Sequence, residues 1–97
     1  MHELIFTPQA DKDLLGIEKN SSQKNILKAV RKCLGFLETN LRHPYLNTHE
    51  FHSVKGPNGE KVFEAYVQQK TPGAYRIFWY SGPERGMITI VAIVPHP

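Results

Sequence analysis

The sequence is short of the features that would place a chain in a membrane, outside a cell or around a metal ion. It has one cysteine, Cys33, in 97 residues. No internal disulfide can form, and a reducing, cytoplasmic setting is expected. Cys33 itself is expected to be a small buried hydrophobe rather than a reactive thiol. No apolar run approaches the ~18 residues that a membrane helix needs, so no membrane partner is expected. The opening residues "MHELIFTPQ" show no basic stretch followed by an apolar one, and no secretory leader is expected. The histidines lack metal-pair spacing and no cysteine cluster accompanies them. "GPNG" is a hairpin turn rather than a phosphate-cradling loop, and no strand-to-helix nucleophile elbow is present. Neither a metal nor a cofactor is expected. Internal repeats, low complexity and a second domain are missing too, which leaves one domain over residues 1–97.

What is there is ordinary globular composition, 40% hydrophobic and 22% charged. The net charge of +3 favours anionic partners, nucleic acid or an acidic peptide. Its distribution says more than its size. Lys19, Lys24, Lys28, Arg31 and Lys32 follow one another with no acid among them.

Periodicity divides the chain. "ELIF" reads as a short strand. Thr7 as N-cap, Pro8 at the first helical position and an early Asp11 then predict a helix ending near Gly16. Ser21 or Ser22 is expected to cap a second helix running to about Thr39. There Ile26, Leu27, Val30, Cys33, Leu34 and Leu37 share one arc at helical spacing, while Lys24, Lys28, Arg31 and Lys32 occupy another. The basic arc is either a solvated face or a binding surface. After the polar loop "NLRHPYLNTH" the period changes to two. "EFHSVK", "KVFEAYVQ", "AYRIFWYS" and "MITIVAIV" read as strands joined by "GPNGE", "QKTPG" and "GPERG". The class is α+β: two N-terminal helices on one face of a twisted, mostly antiparallel sheet of four to five strands. The last strand is apolar on both sides and is expected to be central.

Alternation sorts the sheet residues by face. With the more apolar sets (Phe63, Ala65 and Val67; Tyr75, Ile77 and Trp79; Val91 and Ile93; Phe51 and Ser53) turned to the helices, the other face collects His52, Glu64, Tyr66, Arg76, Phe78, Tyr80 and His96. Imidazoles suit proton transfer near neutral pH. An arginine suits a phosphate or phosphorane, and aromatics can stack unpaired bases. Such a set suits RNA cleavage without a metal. Lys55 and Lys61 flank a hairpin, where solvation and phosphate contact are both open. Glu64 is read as a partner for Arg76 or a lysine. His2, His43 and His49 join no constellation.

In "IFTPQADKDL", the two helices, "HSVKG", "AYRIFWY" and the final apolar strand, the chain resembles the RelE/ParE superfamily of type II toxin–antitoxin toxins over nearly its whole length. The resemblance implies a microbial RNase-like fold. It implies a cytoplasmic toxin that inhibits translation as a ribosome-dependent mRNA endonuclease, with the ribosome, mRNA and a cognate antitoxin as partners and a possible toxin–antitoxin hetero-oligomer. Residue by residue, Arg76 matches the arginine that contacts the scissile phosphate. His52 matches a position carrying histidine or glutamate in the YafQ-like and YoeB-like branches. His96 matches the C-terminal histidine of the YoeB-like branch, and Tyr66 falls near a second histidine of the YafQ-like one. Pro97 stands where the YoeB-like branch has a tyrosine, and Glu64 and Tyr66 lie where RelE has paired lysines. The mechanism implied has His52 or Glu64 removing the 2′-hydroxyl proton, Arg76 stabilising the charged transition state and His96 protonating the leaving oxygen. Lys24, Lys28, Arg31, Lys32, Lys55 and Lys61 would bind RNA phosphates, with Phe78 and Tyr80 against bases. The superfamily also holds ParE-like gyrase inhibitors without these RNase residues. A non-enzymatic inhibitor of that kind, or an inactive antitoxin-bound relic, is the alternative; the presence of His52, Arg76 and His96 argues against the ParE-like branch.

Overall fold

The computed structural model describes residues 1–68 and 73–95. The chain runs β1 (Glu3–Phe6), α1 (Pro8–Lys19), α2 (Lys24–Thr39), β2 (His49–Lys55), β3 (Lys61–Tyr66), β4 (Tyr75–Ser81) and β5 (Met87–Pro95). The "QKTPG" turn falls partly outside the described residues. Among these residues no helix is long and apolar enough to cross a membrane.

Helix α1 starts as its sequence dictates. The Thr7 hydroxyl accepts a hydrogen bond from the Ala10 N–H at 3.0 Å, Pro8 sits in the first turn, and Asp11 meets the positive end of the helix dipole. It runs past Gly16 to Lys19. The start of α2 differs from the expected serine cap. Asn20 accepts from the Ser22 N–H at 3.0 Å and opens a 3₁₀ turn over Ser21–Gln23 that feeds the helix directly. Asn20 thus caps the 3₁₀ turn, and α2 itself starts without a side-chain cap. Helix α2 then buries Val30, Cys33, Leu34 and Leu37, the arc that its periodicity marks.

The strand order is β1-β5-β4-β3-β2, with every neighbouring pair antiparallel except the parallel β1–β5 pair. The last strand is thus interior, as expected from its two apolar sides. Its register with β4 slips between Phe78↔Ala92 and Trp79↔Ile90, so Val91 is an extra, bulged residue. Ile88 and Ile90 turn to the core before the bulge and Ile93 turns there after it. Val91 is therefore not on the side of Ile93, as strict alternation would have it; it lines the opposite face with Ala92.

Helix α1 holds this kink in place. The β1–β5 pairing ends at Phe6↔Ile90, which leaves the rest of β5 without a neighbour on that side. The Thr7 hydroxyl donates to the Val91 carbonyl at 2.8 Å, and the Asp13 carboxylate accepts from the Ile93 N–H at 3.0 Å. Two backbone groups that a missing strand would have satisfied are satisfied by side chains.

Between helices and sheet lies the core, with Leu37, Leu46, Ile77, Ile88, Ile90 and Ile93 all but fully buried. Each such side chain contributes roughly 1.5–3 kcal/mol of burial. Cys33 belongs to it. Burial pushes its thiol pKa up to about 12, which makes it an inert apolar filler at neutral pH.

Candidate active site

The helices cover one face of the sheet. The other face carries an open groove of about 390 Å³, lined by Phe51, Val54, Val62, Phe78, Val91, Ala92, Val94 and Pro95, with Glu64 the one charged lining residue among those described. Phe51 and Phe78 meet edge to face at 4.9 Å between centroids. The bulge at Val91 helps to build this groove, because it turns one more valine out of the core.

At the border of the groove stands a polar cluster built on β3 and β4. Tyr66 pairs with Arg76 across the ladder, so both side chains emerge on the same face. The Arg76 guanidinium lies 3.8 Å from the centre of the Tyr66 ring. Its Nε is 3.8 Å from a Glu64 carboxylate oxygen, too long for a hydrogen bond, and its Nη1 donates to the Ala74 carbonyl at 3.1 Å. The Arg76 and Glu64 side chains are only 11% and 15% exposed. Arg76 Nε is fully buried and has no hydrogen-bond partner among the described residues. A cation is thus held over an aromatic ring, with one donor unsatisfied and a carboxylate close by. A guanidinium suits a phosphate, which would meet it at its other nitrogens, since Nε is sealed from solvent.

Of the residues singled out in the sequence, Glu64, Tyr66, Arg76 and Phe78 come together here. His52 does not. It points to the other side of β2, where its Nδ1 lies 3.2 Å from the Glu50 carboxylate, and Lys55 joins the same carboxylate at 3.7 Å. The face assignment of β2 is therefore reversed. Phe51, assigned to the core by its apolarity, belongs to the groove, because β2 is the edge strand and the uncovered face has an apolar surface of its own. Tyr80 is also corrected. It shares the alternation of Phe78 but is only 8% exposed, so it offers no open ring for stacking. His96 and Pro97 lie outside the described residues.

His49 joins the cluster although the sequence pattern does not single it out. It pairs with Glu64 across β2–β3 and meets the Tyr66 ring edge-on, with 5.5 Å between centroids. Its parity with Phe51 hides it in the sequence, because an apolar Phe51 reads as core-facing and takes His49 with it. His43 serves the fold instead. Its Nδ1 accepts from the Tyr45 N–H at 3.1 Å and its ring stacks on Phe36 at 3.8 Å.

The basic arc of α2 is partly engaged. Arg31 pairs with Glu18 at 3.4 Å and the Lys32 ammonium sits 4.3 Å from the centre of the Tyr45 ring. Lys24 and Lys28 are exposed, as are Lys55 and Lys61 on the first hairpin. Among the described residues, no group of three or more His, Cys, Asp or Glu side chains is placed to hold a metal ion.

No protein-family model matches the chain, and no curated protein matches it in sequence. Solved structures do match. A metal-bound toxin from Helicobacter pylori has 21% identity and a TM-score of 0.69, over 99% of this chain and 96% of that one. YoeB in the heterotetrameric YoeB–YefM toxin–antitoxin complex from Staphylococcus aureus has 15% identity and a TM-score of 0.67, over 100% and 99%. The E. coli DinJ–YafQ complex gives 16% identity and a TM-score of 0.61, over 99% and 94%. At such low identity the match speaks for architecture, and it spans these chains nearly end to end: the fold of this protein is the fold of the YoeB, RelE and YafQ toxins, the one its sequence resemblance implied.

Proposed function

We propose that the protein is the toxin of a type II toxin–antitoxin pair and an endonuclease that cuts mRNA on the ribosome. The observation that carries this reading is the Arg76 guanidinium, stacked on Tyr66 beside Glu64 on the uncovered face of a toxin-type sheet. In the proposed reaction an mRNA 2′-hydroxyl attacks the adjacent phosphorus and the 5′-oxygen leaves. The products are a 2′,3′-cyclic phosphate and a 5′-hydroxyl end. Arg76 binds the phosphate and faces the negative charge that builds on it, with Tyr66 and Glu64 fixing its orientation. The adjoining apolar groove, with Phe51 and Phe78, takes an unpaired base next to the cut. His96 keeps its role as proton donor to the leaving oxygen on resemblance alone. Lys24, Lys28, Lys55 and Lys61 would meet ribosomal RNA phosphates, a contribution that weakens steeply with salt.

The antitoxin belongs to the same proposal. The S. aureus YoeB and E. coli YafQ neighbours were crystallised with YefM and DinJ, and a small partner covering this face would silence the site. The test is an in vitro translation reaction read by primer extension. Wild-type protein should cut the message, and Arg76→Ala should lose about 10²–10³ in rate, as loss of one charge-stabilising donor does. Intact message together with gyrase trapped on cleaved DNA would sink the nuclease reading in favour of a gyrase inhibitor.

A further inference from the structure

We infer that His49, rather than His52 or Glu64, is the group that takes the proton from the attacking 2′-hydroxyl. The inference rests on the nuclease reading above and adds a catalytic residue to it. His49 stands directly opposite Glu64 in the β2–β3 ladder, so the two side chains leave the sheet on one face, about 5 Å apart at their Cβ atoms. Its ring contacts Tyr66, and Tyr66 carries the Arg76 guanidinium. Imidazole, phenol ring and guanidinium form one continuous row. With the imidazole 5.5 Å and the guanidinium 3.8 Å from the centre of the same ring, the proposal places the phosphate at Arg76 and its neighbouring hydroxyl towards His49.

The competing bases are worse placed. Glu64 is nearly buried and is held beside Arg76, where its charge balances the guanidinium. His52 faces away, towards Glu50. His49 is exposed and can meet a substrate that arrives from solvent. Imidazole is also the side chain whose ordinary titration lies nearest neutral pH, where a general base works best. Among the described residues, the charged and titratable groups on the face of His49 are Glu64 and Tyr66 on β3, with Arg76 on β4 against the Tyr66 ring. On its own strand, Glu50, His52 and Lys55 cluster on the opposite side. Glu64 thus confronts the imidazolium that proton transfer creates.

The step balances without a further reactant. The O2′–P bond forms, the P–O5′ bond breaks, and the 2′-hydroxyl proton moves to His49. The departing 5′-oxygen takes a proton from the donor named in the reading above, and the proton later released by His49 returns to that donor through solvent.

The test is single-turnover cleavage of ribosome-bound mRNA across pH 6 to 8.5, with wild type, His49→Ala, His49→Asn, His52→Ala and Arg76→Ala. We expect His49→Ala to lose about 10²-fold or more in rate. The wild-type rate should fall on the acidic side as the imidazole takes up a proton, and both His49 variants should lack that limb. Added imidazole should restore part of the His49→Ala rate. Binding of a 2′-deoxy message should be unchanged in His49→Ala, because the base acts only on the 2′-proton that such a message lacks. Three results overturn the inference: His49→Ala cutting within about twofold of wild type, a slow His49→Ala that keeps the acidic limb, or one that imidazole does not rescue. An active His49→Ala beside an inactive Arg76→Ala would reject His49 and leave the nuclease standing. Wild-type protein that never cuts would reject both.

Discussion

The two faces of the sheet use the same strands to opposite ends. Successive residues of β4 alternate between them. Ile77 is fully buried under the helices, while Arg76 and Phe78 line the uncovered side. The covered face is largely apolar, although it too carries a buried donor, Trp79 Nε1, with no partner among the described residues. The uncovered face holds a nearly buried ion pair at 3.8 Å, a guanidinium nitrogen without a partner, and an apolar groove. One face makes the fold stable. The other keeps groups in arrangements that stability alone would not select. Substitutions on the two faces should therefore separate stability from activity.

The largest stability effect is expected on the covered face. Ile77→Ala removes a side chain with no exposure, and should cost about 2–5 kcal/mol in urea unfolding. For a domain of this size that is a large part of the total. Arg76→Ala, one residue earlier on the same strand, should change cleavage far more than unfolding. If Arg76→Ala unfolds the protein as readily as Ile77→Ala, the contrast between the faces fails.

Next comes the point where the two faces meet, the bulge at Val91. Asp13→Ala removes the acceptor of the Ile93 N–H. The loss of a charge-assisted bond to a half-shielded backbone donor should cost about 1–3 kcal/mol. Val94 and Pro95 lie just beyond and line the groove, so Asp13→Ala should also reduce cleavage although Asp13 is on the helix side. A variant that is destabilised yet cuts at the wild-type rate, under conditions where it is fully folded, would show that the clip serves the fold only.

Cys33 gives a smaller effect confined to alkaline pH. Its folded-state pKa is raised by burial to about 12 from an ordinary value of 9.0. Between those values the folded state keeps a proton that the unfolded state has lost. Stability from this group is present in full below about pH 9 and declines as pH rises towards 12. The decline is at most about 1.4 kcal/mol per pH unit. Cys33→Ala should show a shallower fall over that range than wild type in urea titrations; equal slopes would mean that the thiol ionises without unfolding.

The covered face is easier to read in the sequence than the uncovered one, and the reason is physical. Helix α2 declares its buried arc by spacing, and Thr7-Pro8 declares the start of α1 by capping chemistry. Strand faces are declared by parity, and parity survives only as long as no residue is inserted. Val91 breaks it in β5, and the β2–β3 register breaks between Glu50 and Lys55. Glu64, Tyr66 and Arg76 can be placed together because β3 and β4 pair without interruption from Phe63↔Trp79 to Tyr66↔Arg76. His49 cannot be placed, because the rule that apolar means covered assigns Phe51 to the helices and so turns the whole of β2 over. Nothing local in "THEFHSVKG" says that a phenylalanine there packs on Phe78 across an open groove. The parallel β1–β5 pairing is hidden as well, since it joins the two ends of the chain.

The smallest expected effect tests that reversal most directly. His52 is 79% exposed at its side chain and faces Glu50 across 3.2 Å. A surface pair of this kind is worth a fraction of a kcal/mol, since solvent screens it and both side chains lose freedom to form it. His52→Ala should therefore shift unfolding by no more than about 0.5 kcal/mol. It should also cut RNA at close to the wild-type rate, with the acidic limb of the pH profile intact, because the imidazole it removes is on the wrong side of β2. His49 and His52 are three residues apart in one strand and of one chemical type. A difference between their alanine variants can arise only from the face each occupies. Loss in His52→Ala with none in His49→Ala would return β2 to the orientation that simple alternation from the apolar side suggests, and would take Phe51 out of the groove with it.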